Sequence, residues 1–114
     1  MTENTRAETT GPDWAFLTNH AQVLVCIARD PGIRLREIGT RVGITERAAH
    51  RIVVELEDAG YISRERNGRR NHYTIKTHVP LPDPVARERN VGELLAILTD
   101  PPPTKRAARS RTRG

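Results

Sequence analysis

A single cysteine, Cys26, stands among the 114 residues, which excludes an internal disulfide, a thiol redox pair and a zinc site built from four cysteines. Cys26 reads as a small core residue, and the scarcity of its kind points to a reducing compartment. No stretch approaches the roughly eighteen apolar residues needed to cross a bilayer. The first ten residues, MTENTRAETT, are polar where a secretory leader needs an apolar segment. The expectation is a cytoplasmic protein with no membrane partner. The length suits one small domain with tails, so a large enzyme cleft is not expected. His20, His50, His72 and His78 are scattered without a ligand spacing, which argues against a metal or other cofactor. Nucleophile, base and acid are nowhere arranged together, and the eight glycines fall at turns rather than in a phosphate-cradling loop. The absences leave a binding domain rather than an enzyme.

Charge is present, and its placement matters more than its sum. The net charge is +5, and Lys105, Arg106, Arg109, Arg111 and Arg113 alone supply five positive charges. Acids and bases balance in the remainder, so basicity as such says little about the folded part. Between Tyr61 and Lys76, however, Arg64, Arg66, Arg69, Arg70 and Lys76 face a single acid, Glu65.

Residues 1–12 are polar, contain Gly11-Pro12 and lack periodicity, so they are expected to be a disordered arm. A folded domain is expected over 13–99, with Trp14, Phe16 and Leu17 marking the start of packing, and a disordered basic tail over 100–114. Asn19 with Gln22 three residues on suggests a helix start. Ala21, Leu24, Val25 and Ala28 recur at helical spacing, and Val23, Cys26 and Ile27 extend the apolar surface almost all round, as in a central helix. Asp30-Pro31-Gly32 ends it. After a short extended piece at 33–35, Leu35, Ile38 and Val42 predict a helix of about two turns. Gly43 then supplies the positive φ of a tight turn. Thr45 caps a longer helix reaching about Ala59, with Ala49, Ile52, Val53 and Leu56 inward. Two strand-like runs, 61–66 and 69–75, flank Asn67-Gly68, a strong hairpin signal. Pro80, Pro82 and Pro84 interrupt regular structure, and Asn90 with Glu93 forms a capping box for a last helix.

The predicted fold is mostly α with a small β-hairpin: a winged helix-turn-helix, in which a short helix, a tight turn and a second helix precede a basic hairpin. The segments LREIGTRVGIT (35–45), IVVELEDAGYI (52–62) and NGRRNHYTI (67–75) resemble the DNA-binding core of winged helix-turn-helix regulators of the MarR and ArsR kind. The resemblance covers roughly residues 19–76. It implies a bacterial-type transcriptional regulator, usually dimeric, whose partner is double-stranded DNA and whose wing lies on the minor groove or flanking backbone. No cysteine pair stands before the turn, so the metal ligands of some ArsR-like repressors are missing. Nor are the long terminal helices that form the dimer and ligand pocket of typical MarR proteins expected from these residues.

With the inner face of the second helix fixed, Arg47, His50, Arg51 and Val54 form the opposite stripe. Arg47 and Arg51 suit guanine edges or phosphates, and His50 offers a donor to either. Glu55, Glu57 and Asp58 crowd the other half, so only the first two turns are expected to enter a groove. An ordinary solvated face is the alternative, with Arg51 and Glu55 paired at i, i+4. Thr45 reads first as a cap, although the N–H groups beside it suit a phosphate.

If Asn67-Gly68 is the two-residue loop, Arg66 sits opposite Arg69 and Glu65 opposite Arg70. Like charges opposed at the tip destabilise a hairpin and favour an incoming polyanion. Arg70 then has a structural alternative as the partner of Glu65. On this reading Thr45, Arg47, His50, Arg51, Arg66, Arg69 and Arg70 are the DNA-binding candidates. Val91, Leu94, Leu95 and Leu98 form a stripe that either packs on its own domain or joins a second copy in a homodimer. The alternative function is a winged-helix protein-interaction module without sequence-specific DNA binding.

Overall fold

The computed structural model describes residues 12–99; the polar arm, apart from Pro12, and the basic tail expected at the two ends lie outside them. The elements run α1 (Asn19–Arg29), α2 (Leu35–Val42), α3 (Glu46–Asp58), β1 (Ile62–Asn67), β2 (Arg70–Ile75), a 3-10 turn at Pro84–Ala86, and α4 (Val91–Leu98). This is the winged helix-turn-helix order, with α2 and α3 packed together and the hairpin following.

Helix α1 starts one residue earlier than its sequence suggests. Thr18, in extended backbone, accepts from Ala21 N–H at 3.1 Å through its hydroxyl, so Thr18 is the cap and Asn19 the first helical residue. Gln22 donates instead to the Leu17 carbonyl. Val23, Leu24, Cys26 and Ile27 are buried, which makes α1 the central helix. Burial pushes the Cys26 thiol pKa up, with Arg41 and Arg29 pulling weakly the other way. The inert, protonated thiol is therefore favoured.

Helix α2 ends at Gly43, whose φ of +87° is the left-handed conformation the sequence calls for there. The turn is so tight that a Cβ on Gly39 would lie 2.7 Å from the Ile44 carbonyl oxygen. Thr45 then caps α3 by accepting from Ala48 N–H at 3.0 Å, and Ala49, Ile52, Val53 and Leu56 bury its inner face. These join Ile27, Ile33, Ile38, Ile62 and Tyr73 in one core.

The hairpin differs from expectation at its tip. Asn67 pairs with Arg70, Arg66 with Asn71, Glu65 with His72 and Ile62 with Ile75, so the loop is Gly68-Arg69 rather than Asn67-Gly68. Gly68, at φ +68°, takes the first loop position, where both primed turns require positive φ. Arg66 does not oppose Arg69, and Glu65 does not oppose Arg70. The observed register removes the like-charge pair that the other would impose. Because pairing moved by two residues, face parity is unchanged. Ile62 and Tyr73 still point inward and are buried, as their sequence alternation predicts.

Beyond β2, Pro80 bridges to Asn90, whose side chain forms the predicted capping box with Glu93. Asn90 N–H, and then the Arg89 guanidinium, hold the Glu93 carboxyl below its ordinary pKa. Gly92 fits against Thr77, where a Cβ would lie 2.7 Å from the threonine Cβ. Val91 and Leu95 are 2% and 6% exposed and belong to the domain's own core. They are therefore withdrawn from any dimer contact, leaving half-buried Leu94 and Leu98 and the exposed Ile97. Trp14 and Phe16 do not begin the core either; they are exposed and stack edge to face on each other, 5.0 Å between centroids.

Candidate nucleic-acid interface

The outer face of α3 is set by its inner one. With Ala49, Ile52, Val53 and Leu56 anchored, Arg47, His50 and Arg51 emerge exposed, while Val54 is half-buried. Among the described residues, Arg47 and His50 make no side-chain hydrogen bond or ion pair. Arg51 has, among the described residues, only a loose partner, Glu55, at 3.9 Å. Thr45 holds its capping role, and its hydroxyl oxygen is occupied by the Ala48 N–H.

The acidic half of α3 is tied down by side chains from other elements. Glu55 accepts from His20 of α1 at 2.7 Å, and Glu57 lies 3.2 Å from Arg64 of β1. These contacts hold both carboxylates, and the Arg64 guanidinium offsets the charge of Glu57 that would otherwise repel a phosphate backbone. They also remove Arg64 from the free basic residues of the hairpin, a role invisible in a simple charge count.

At the wing, Arg66 and Arg69 are exposed. Arg66 donates from Nε to the Gly68 carbonyl at 3.1 Å, which ties its side chain to the tip. Arg69 occupies the loop apex. Arg70 turns back to the domain and donates to the Gly32 carbonyl at 2.9 Å, while Tyr73 N–H donates to Pro31 O at 2.9 Å. The wing is thus tethered at two points to the turn between α1 and α2. The expected pairing of Arg70 with Glu65 does not form, because Glu65 lies opposite His72, and Arg70 is bonded to the Gly32 carbonyl instead.

Between the wing and α2 runs an open groove of about 740 Å³. Arg69, Arg70, Asn71 and Tyr73 line one side, Arg34, Arg36 and Thr40 the other, and Glu46 from the first turn of α3 closes part of it. Arg34 and Arg36 are exposed and make no side-chain pair among the described residues. Sequence reasoning missed both, because their distance from the hairpin is short only in space. The signal lay in their flanking of Leu35 at the helix start, where one inward residue leaves two neighbours outward.

Among the described residues no group of three or more His, Cys, Asp or Glu side chains is placed to hold a metal, and no helix is long and apolar enough to cross a membrane.

Residues 16–70, just under half the chain, match the sequence profile of the MarR family. No curated protein matches this chain. Among solved structures, a MarR family protein of Mycobacterium tuberculosis in complex with salicylic acid is 21% identical with a TM-score of 0.48. The alignment covers 72% of this chain and 57% of that one, so this chain spans little more than half the length of that protein.

Proposed function

We propose, from the match of residues 16–70 to the sequence profile of the MarR family, that the chain is a cytoplasmic, non-enzymatic transcriptional regulator of the MarR type that binds double-stranded DNA. The supporting observation is the division of α3. Its first two turns present Arg47, His50 and Arg51 outward, while Glu55 and Glu57 farther along are held by His20 and Arg64. A helix so divided suits entry into a major groove by its N-terminal end. Arg47 and His50 read base edges, Arg51 takes a base or a phosphate, and Arg66 and Arg69 grip the flank. Arg34 and Arg36 extend the same basic surface along the groove and add phosphate contacts. Thr45 and Arg70 support the interface, one by starting α3 and the other by fixing the wing.

The reading includes a two-fold dimer through Leu94, Ile97 and Leu98 of α4, joined by Trp14 and Phe16. Leu17 and Leu98 line one cavity, which sets the N-terminal segment beside the end of α4. A symmetric dimer implies an operator with two related half-sites about one helical turn, or a multiple of it, apart.

Selection of bound duplexes from a random pool, with the solution mass measured in parallel, tests site, symmetry and stoichiometry together. A preferred, symmetric site supports the proposal. Weak binding with no preferred site, abolished by deleting residues 104–114, overturns it in favour of a protein-interaction module.

A further inference from the structure

Glu55 lies between a histidine and an arginine and holds them unequally. Its Oε1 is 2.7 Å from His20 Nε2, whereas its Oε2 is 3.9 Å from Arg51 Nε. A carboxylate only accepts, so Nε2 carries the proton and donates a full hydrogen bond. The second distance is too long for a hydrogen bond and leaves only a screened attraction.

Position alone favours the opposite division. Arg51 and Glu55 are i, i+4 neighbours on one helix, a spacing at which such side chains pair without help. His20 reaches Glu55 from the first turn of α1, another element altogether. The carboxylate is therefore drawn to the α1 flank of α3, away from its outward face. Left free, it would swing to Arg51, occupy the guanidinium and set a negative charge where a phosphate is to approach.

We propose that His20 is a positioning residue for nucleic-acid binding: by holding Glu55 against α1 it keeps the Arg51 guanidinium available to DNA. The inference rests on the DNA-binding reading above and extends it to a residue outside the helix-turn-helix and wing. The groups are exposed, with side-chain exposures of 47% for His20, 50% for Glu55 and 69% for Arg51, so the effect is modest.

The test measures affinity for the selected duplex in the full chain and its His20→Ala, Glu55→Gln, Arg51→Ala, His20→Ala/Glu55→Gln and His20→Ala/Arg51→Ala variants. Thermal melts are recorded alongside. The expected loss for His20→Ala is about two- to five-fold. Adding Glu55→Gln restores affinity, and His20→Ala changes nothing further once Arg51 is alanine. A purely structural His20 would instead give a binding loss that persists in the Arg51→Ala background. That outcome overturns the proposal, as does wild-type affinity in His20→Ala or in Arg51→Ala. If the unaltered chain binds no duplex, the DNA-binding reading itself fails and this inference with it.

Discussion

Arg70 donates to the carbonyl of Gly32 at 2.9 Å, joining the tip of the wing to the turn that separates α1 from α2. A residue that counts as positive charge in the sequence is thus a tether in the structure. Alanine at position 70 is expected to lower stability by about 0.5–1 kcal/mol, the range for an exposed hydrogen bond, and to leave the salt dependence of DNA binding nearly unchanged. Urea unfolding and a salt titration check the two halves separately. A salt slope that falls by about one instead places Arg70 on phosphate.

Arg66 and Arg69 are expected to behave in the opposite way. Alanine at either leaves stability within about 0.5 kcal/mol and lowers the salt slope by about one, uniformly across duplex sequences. Arg34→Ala and Arg36→Ala follow the same pattern if the groove carries backbone. Slopes that do not move remove these residues from the interface.

Arg47→Ala is expected to relax preference at one base-pair position, costing about 1–3 kcal/mol against the best site and much less against mixed DNA. Repeating the duplex selection with the variant gives the answer. An identical preferred sequence means that Arg47 reads nothing.

The turn between α2 and α3 offers a sharper test of geometry. Gly39→Ala sets a Cβ 2.7 Å from the Ile44 carbonyl, backbone that cannot step aside without moving Thr45 and the start of α3. Both stability and sequence-specific binding are expected to fall, the first by about 1–3 kcal/mol. Gly43→Ala has open space around it and meets only the strain of φ +87°, so about 1 kcal/mol is expected there. Chemical denaturation of the two variants ranks them. The reverse order would mean that the turn is looser than its contacts indicate.

Acid should act on α4 through Glu93. Its folded pKa lies below the ordinary value, so its contribution is present in full above the unfolded pKa and is lost as pH falls through the folded one. Glu93→Ala is therefore expected to lower the melting temperature at neutral pH and to converge with the unaltered chain in acid. A loss that stays constant with pH would show that the charge of the carboxylate is not what stabilises the helix start.

Most of the architecture is legible locally. Gly43, Thr45, Asn90 and Glu93 are residues whose backbone or capping chemistry admits few alternatives, and each occupies the role its type suggests. Long-range choices are not legible in that way. Asn67-Gly68 is a good turn on local grounds, yet the structure places Gly68-Arg69 in the loop and Asn71 opposite Arg66. The apolar stripe of α4 left open whether its own domain or a second copy covers it, and burial of Val91 and Leu95 assigns those two to the domain. Trp14 and Phe16 show the reverse error, since an aromatic residue in a sequence does not say whether anything lies beneath it. In the interface, the outward set on α3 follows from helical period. The contacts of His20 and Arg70 reach partners far along the chain, and that of Arg64 crosses from β1 back to α3, so all three come only from the fold.

The alternation of inner and outer faces along the hairpin has an evolutionary corollary. A ribbon whose partners can slide by two positions while keeping the same side chains indoors lets its outer end be lengthened, trimmed or recoded without disturbing the foundation. Ile62 and Tyr73 at the base answer to stability, while the loop at 68–69 is free to follow whatever surface it meets. Relatives of this chain are then expected to vary most in that loop and least at the two anchoring positions.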